Sequence, residues 1–124
     1  MRPRDVLVVD DSKVMREMII ACLRGEDHLD FSQASSGLEA IEQLSIRPFD
    51  LVVLDLNMPD IGGLEVVEFI RGQQRLSQIP ILIVTTRGDD ASQARVLAAG
   101  ASAYMTKPFT PDGIAGEVRA LLGR

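Results

Sequence analysis

Residues 50–63 read DLVVLDLNMPDIGG. Leu51-Val52-Val53-Leu54 is a short, unbroken apolar run, the pattern of a strand covered on both faces. It runs straight into a carboxylate, Asp55. An amide follows two residues on, at Asn57. Met58-Pro59 then interrupts regular structure. Gly62-Gly63 reads as a flexible entry to a helical pattern that puts Leu64, Val67 and Ile70 inside. A buried strand that ends on an acid and turns into a helix is one βα unit. Asp55 is then either a solvated strand end or a reactive group, and its surroundings decide which.

The same unit recurs along the chain. Val6-Leu7-Val8-Val9 is a β-branched run, followed by a helical stripe of Val14, Met15, Met18, Ile19, Cys22 and Leu23 that Asp11 or Ser12 can cap. A weaker, more polar strand is expected around Asp30 to Ala34. Ser35-Ser36-Gly37 opens a helix with Leu38, Ile41 and Leu44 on one side, and Arg47-Pro48 ends it. After the Leu51–Leu54 strand and its helix, Pro80 precedes a strand from Ile81 to Val84. A helix from about Asp89 to Ala99 uses Ala94 and Leu97 and stops at Gly100. Ala103 to Met105 makes a fifth strand. Thr110-Pro111 starts the last helix, with Ile114, Val118, Leu121 and Leu122 facing in. Five βα units in a row predict a parallel sheet with helices on both faces. One domain over residues 1–124 is expected, with no output domain.

Composition narrows the class. The chain has 124 residues, of which 46% are apolar, enough for one core. Trp is absent, so that core is aliphatic. Eighteen acidic against thirteen basic residues give a net charge of −5, which argues against direct contact with nucleic acid. A lone cysteine, Cys22, makes no internal disulfide and fits a reducing, cytoplasmic setting. The stretch before Asp10-Asp11 is too short in apolar residues for a signal peptide, and no run approaches membrane-spanning length. A cytoplasmic protein without membrane insertion is expected.

In an open parallel sheet, ligands bind beyond the carboxyl ends of the strands. The first strand ends in Asp10-Asp11, the third in Asp55, the fourth in Thr85-Thr86 and the fifth in Thr106-Lys107-Pro108. The two acidic ends belong on neighbouring central strands, roughly 4.8 Å apart. Two carboxylates about 6 Å apart repel by roughly 3 kcal/mol at an effective dielectric near 20. Three are hard to hold without a cation. Carboxylates and backbone carbonyls are hard oxygen donors, which suits Mg²⁺ or a similar divalent ion. Lys107 would balance an anion placed at Asp55. That arrangement suits phosphoryl transfer, in which spread charge must be neutralised and little else is required. Asp55, alone on its strand, is the better acceptor.

These residues resemble the receiver domain of two-component response regulators. VVDDSKVMR, LDLNMPDIGGLE, PILIVTTRG and AGASAYMTKPF look like that family's blocks in order, closest to stand-alone receivers of the chemotaxis type. The likeness runs from Val6 to Leu122. It implies a flavodoxin-like (βα)5 fold with strand order 2-1-3-4-5, an order that general accounts of this architecture already give for the chemotaxis member. It implies that Asp55 is phosphorylated by the phosphohistidine of a histidine kinase. Asp11, Asp55 and the Asn57 backbone carbonyl would bind Mg²⁺ (Mn²⁺ as an alternative), with Asp10 acting through a water. Lys107 would pair with the phosphoryl group and precede a cis Pro108. Thr85 would close on the phosphoryl oxygen, and Tyr104 would turn inward. The face of the fourth helix, fifth strand and fifth helix would then change for a downstream protein, a flagellar motor switch or another kinase. Arg87, two after Thr85, falls where the family tunes hydrolysis. The expected protein is a monomer that signals rather than an enzyme.

Taken singly, each residue has a plainer meaning. Asp10-Asp11 also looks like a helix cap, Lys107 like a surface lysine, Thr85 like an ordinary strand residue and Tyr104 like packing. Asn57 reads as a turn residue whose side chain has no role. His28 stands alone in a loop and is no phosphohistidine. Within the receiver reading, a phosphorelay intermediate or a phosphate sink is the alternative to a motility output. An Mg-dependent aspartyl-phosphate phosphatase of the haloacid-dehalogenase type is a second class, but it wants an acid where Asn57 stands. A partner-binding pseudo-receiver is a third, and the complete acid set argues against it.

Overall fold

A computed structural model describes residues 2–123. The strands are β1 (Arg4–Val9), β2 (Leu29–Ala34), β3 (Leu51–Leu54), β4 (Ile81–Thr85) and β5 (Ala103–Thr106). The helices are α1 (Lys13–Leu23), α2 (Gly37–Ile46), α3 (Gly63–Gly72), α4 (Asp90–Ala99) and α5 (Pro111–Leu121). A 3₁₀ turn, Gln74–Leu76, follows α3 and was not foreseen. All pairings are parallel and the order is β2-β1-β3-β4-β5. The expected fold class, a flavodoxin-like doubly wound sheet, is the observed one.

Parallel strands with helices over both faces must be apolar on both. β3 and β4 are buried at every residue. Successive side chains go to opposite layers. Leu7, Val9, Val52, Leu54, Ile81 and Ile83 pack against α2, α3 and α4. Val6, Val8, Leu51, Val53, Leu82 and Val84 pack against α1 and α5. Each fully buried aliphatic side chain contributes about 2 kcal/mol, so the sheet is the rigid part from which the site projects.

Three helices differ from their expected faces. In α1, Ile19, Ile20 and Leu23 are buried, whereas Val14 is 70% and Met18 49% exposed. The helix is turned so that Ile20, outside the expected stripe, lies in the core. In α2, Ala40 and Leu44 face in and Leu38 is exposed. In α4 only Val96 is buried, while Ala94 and Leu97 are exposed. A short helix with few large apolar residues has no dominant stripe, and contact with α3 and β5 selects its face. Ser12, one of the two candidate caps, accepts the Met15 N–H and caps α1.

Candidate functional site

The backbone carries the acids one step past the last strand residues. Asp55 N–H donates to the Val9 carbonyl at 3.0 Å, and Asp10 N–H to the Ala34 carbonyl at 3.2 Å. Lys107 N–H likewise donates to the Thr85 carbonyl at 2.8 Å. Each functional residue is therefore still tied to a neighbouring strand although it has left the strand proper. The Lys107–Pro108 peptide bond is cis.

The side chains meet at the carboxyl edge. Asp10, Asp11 and Asp55 each bring a carboxylate oxygen within 4.8 Å of the others. Asp10 and Asp55 are buried and Asp11 is exposed. Lys107 Nζ stands 2.7 Å from Asp10 Oδ2 and 3.7 Å from Asp55 Oδ2. Asp10 is held from three sides. Its Oδ1 accepts the Ser12 N–H at 2.9 Å, Lys107 takes its other oxygen, and its carbonyl accepts from Arg16 Nη1 at 2.6 Å. Arg16 is fixed in turn by Gln33 Oε1 at 2.9 Å.

Asp55 is left differently. Its Oδ1 is buried without a hydrogen-bond partner among the described residues. Buried polar atoms are normally paired, and an orphan asks for an explanation such as an ion. Burial pushes the Asp55 carboxyl above its ordinary value; Lys107 opposes this and Asp10 adds to it. Three carboxylates facing one ammonium group leave negative charge in excess. An orphaned buried oxygen beside two more carboxylates, all hard donors, fits Mg²⁺ or Mn²⁺.

Thr85 is fully buried. Its hydroxyl accepts the Arg87 N–H at 3.3 Å and the Asn57 amide at 3.4 Å, both long contacts. The same Asn57 amide reaches the Thr86 hydroxyl at 3.3 Å. The Asn57 side chain thus bridges the end of β3 to the end of β4, which corrects its reading as a mere turn residue. Tyr104 is half-buried beside the α3–α4 layer, and its hydroxyl donates to the Arg87 carbonyl. It does not join the acid cluster. A cleft of ≈ 720 Å³ opens beside the acids, with Asp11, Asn57, Asp60, Arg87 and Arg95 in its wall.

Gly62-Gly63 also needs correction. A Cβ on Gly63 would lie 2.5 Å from the Asp55 carbonyl oxygen and 2.8 Å from Leu56 Cα. Gly63 serves close packing of α3 on the acid-bearing loop rather than flexibility. Two residues near the site escaped sequence reading, Arg16 and Asp60. Arg16 sits one turn into α1, and its partners arise only when β1 and β2 pair. Asp60 binds 23 residues away in sequence.

The family model for the response regulator receiver domain matches residues 6–119. The chain is 38% identical over 119 residues to the chemotaxis protein CheY1 of Helicobacter pylori, covering 95% of this chain and 96% of that protein. The structure of a putative response regulator from Chloroflexus aurantiacus superposes with a TM-score of 0.92 at 32% identity, covering 99% of this chain and 100% of that one. The chemotaxis response regulator CheY4 of Vibrio cholerae superposes with a TM-score of 0.88 at 31% identity, covering 97% and 99%. No helix among the described residues is long and apolar enough to cross a membrane.

Proposed function

Because this chain belongs to the response regulator receiver family, whose members are signalling phosphoacceptors, we propose that it accepts a phosphoryl group on Asp55 from the phosphohistidine of a histidine kinase. The observation that carries this reading is the state of Asp55. It is buried at a strand end, with one oxygen unpartnered, two acids beside it and Lys107 at 3.7 Å.

A carboxylate oxygen of Asp55 forms the new O–P bond as the N–P bond to the donor imidazole breaks. The electron pair leaves with that imidazole. The rigid β3 end keeps the attacking oxygen in place, so little reorganisation is needed. Asp11, Asp55 and the Asn57 carbonyl would hold Mg²⁺, or Mn²⁺ in its place, with Asp10 at one remove. Such an ion, when bound, would supply positive charge against the phosphoryl oxygens. Lys107 leaves Asp10 to pair with the phosphoryl group. Thr85 gives up its long contacts and donates its hydroxyl to a phosphoryl oxygen. Tyr104, on the neighbouring strand, turns inward, and the face of α4, β5 and α5 presents a different surface to a downstream protein.

The chain acts as a single receiver unit, a monomer in the cytoplasm. The chemotaxis names of its relatives support a place in motility signalling, with a flagellar motor switch or another kinase as the downstream protein. The test is labelling by acetyl phosphate with Mg²⁺. The wild-type chain takes up one phosphoryl group and Asp55→Asn takes up none. Undiminished labelling of that variant overturns the assignment.

A further inference from the structure

The loop from Leu56 to Gly62 carries the Asn57 carbonyl, yet it has no regular structure of its own. What fixes its far half is a contact that crosses the fold. Asp60 Oδ1 accepts the Gly37 N–H at 3.2 Å, and Asp60 Oδ2 accepts the Leu38 N–H at 3.1 Å. These are the first two amides of α2, which every helix leaves without an internal partner. The helix's own cap, Ser36, satisfies a different amide, that of Glu39, at 3.1 Å. Two caps from two parts of the chain therefore share one helix end, and only Asp60 belongs to the loop. The loop and helix are also pressed together. A Cβ on Gly37 would lie 2.2 Å from the Ile61 carbonyl oxygen, so only glycine permits this approach. The Asp60 carboxyl is held below its ordinary value, first by the Ile61 N–H and further by those of Leu38 and Gly37.

Asn57 stands three residues before Asp60. On its other side the chain is clamped at Asp55 by the Val9 carbonyl. The segment between is short and fastened at both ends. Asp11, Asn57 and Asp60 line the same cleft. We propose that Asp60 is a positioning residue: by clamping the β3–α3 loop to the first amides of α2, it holds the Asn57 carbonyl where a divalent ion between Asp11 and Asp55 can take it. This rests on the metal reading of the acid cluster. It adds that the ion's affinity is set partly by a helix end that never touches it. Partners that orient a metal ligand commonly change affinity by about tenfold or more when lost.

The test is calorimetric titration of Mg²⁺ into the unphosphorylated protein, which reads binding without any transfer. Asp60→Ala should bind about tenfold more weakly than wild type. Asp60→Asn keeps one capping oxygen but turns an NH₂ group to the other amide, so it should fall between wild type and Asp60→Ala. Ser36→Ala removes the cap that α2 supplies itself and should leave affinity within about twofold, because it does not touch the loop. Hydrogen exchange should show Gly37 and Leu38 amides deprotected in Asp60→Ala. Unchanged affinity in Asp60→Ala overturns the proposal. So does an equal loss in Ser36→Ala, which makes the effect one of helix stability. Asp11→Asn separates the two levels. If that variant binds Mg²⁺ like wild type, the metal reading fails and the proposal fails with it. If it loses binding while Asp60→Ala does not, only the role of Asp60 fails.

Discussion

Lys107 Nζ lies 2.7 Å from Asp10 and 3.7 Å from Asp55, so the ammonium group is engaged by the acid on β1 rather than by the one on β3. A cation arriving among the three carboxylates meets a competitor already seated there. Removing that competitor should favour the ion. Lys107→Met is expected to bind Mg²⁺ roughly three- to tenfold more tightly than wild type, the effect of one nearby like charge at a partly screened site. Calorimetry at fixed ionic strength measures it, and weaker binding in the variant contradicts the arrangement. The same variant should still be labelled on Asp55 but fail to pass the change on to β5.

Asp55 predicts a pH dependence of stability. Its carboxyl is raised from an ordinary value of 3.8, chiefly by burial. Over the interval between 3.8 and its folded value, the native state holds a proton that the unfolded state has lost. Stability therefore falls as pH rises through that interval and stays lower above it. Asn at this position removes the ionisation. Without divalent ions, Asp55→Asn should be more stable than wild type at pH 7. The advantage should vanish on acidification below about pH 4. Urea unfolding at several pH values decides, and a variant less stable at neutral pH would count against burial outweighing the Lys107 charge at Asp55.

Thr85 and Tyr104 predict a change at a distance. The Thr85 hydroxyl accepts long contacts from the Asn57 amide and the Arg87 N–H, and the Tyr104 hydroxyl donates to the carbonyl of that same Arg87. Beryllofluoride with Mg²⁺ should shift amide signals of β5 and α4 as well as those around Asp55. Thr85→Ala should bind the same mimic within about threefold of wild type yet lose most of the remote shifts, since one neutral hydrogen bond contributes about 1 kcal/mol or less. If wild type itself shows shifts confined to Asp55 and its neighbours, the switch does not operate.

The two adjacent glycines should behave unequally. A Cβ on Gly63 meets backbone atoms at 2.5 and 2.8 Å, whereas one on Gly62 meets the movable Glu65 carboxylate at 2.7 Å. Gly63→Ala should cost about 2 to 3 kcal/mol and weaken Mg²⁺ binding by displacing the Asp55 carbonyl. Gly62→Ala should change stability by no more than about 0.5 kcal/mol. Paired urea titrations compare them directly; equal losses would mean that the close approach to Asp55 is not what selects glycine.

Much of this was legible because strand ends are written locally. Apolar runs that stop on Asp10, Asp55, Thr85 and Lys107 place those residues on one edge once the sheet is known to be parallel. Helix faces were less legible. Val14 and Met18 look like core and lie outside, because α1 is turned by contacts with α5 and the sheet that no local spacing encodes. The least visible features are those made by tertiary contact alone. Arg16 under Asp10, the Asn57 amide between β3 and β4, and Asp60 on α2 are ordinary polar residues until distant segments meet. The preference of Lys107 for Asp10 belongs to the same class, since it is decided by about an ångström.

The central strands raise a matter of alignment. Val6 to Val9, Leu51 to Leu54 and Ile81 to Val84 are aliphatic and buried on both sides. In a half-exposed strand, sliding by one residue turns polar groups inward and is rejected at once. Here the same slide replaces one aliphatic side chain by another and hardly disturbs either layer. What it cannot do freely is move Asp10 or Asp55. A step in one direction drives a carboxylate between the helices, and a step in the other strands Leu54 in water. The acids are thus the reading frame of the sheet. They would be needed to align these strands even in a chain that never met a phosphoryl group, and neutralising both should loosen the register before it loosens the core.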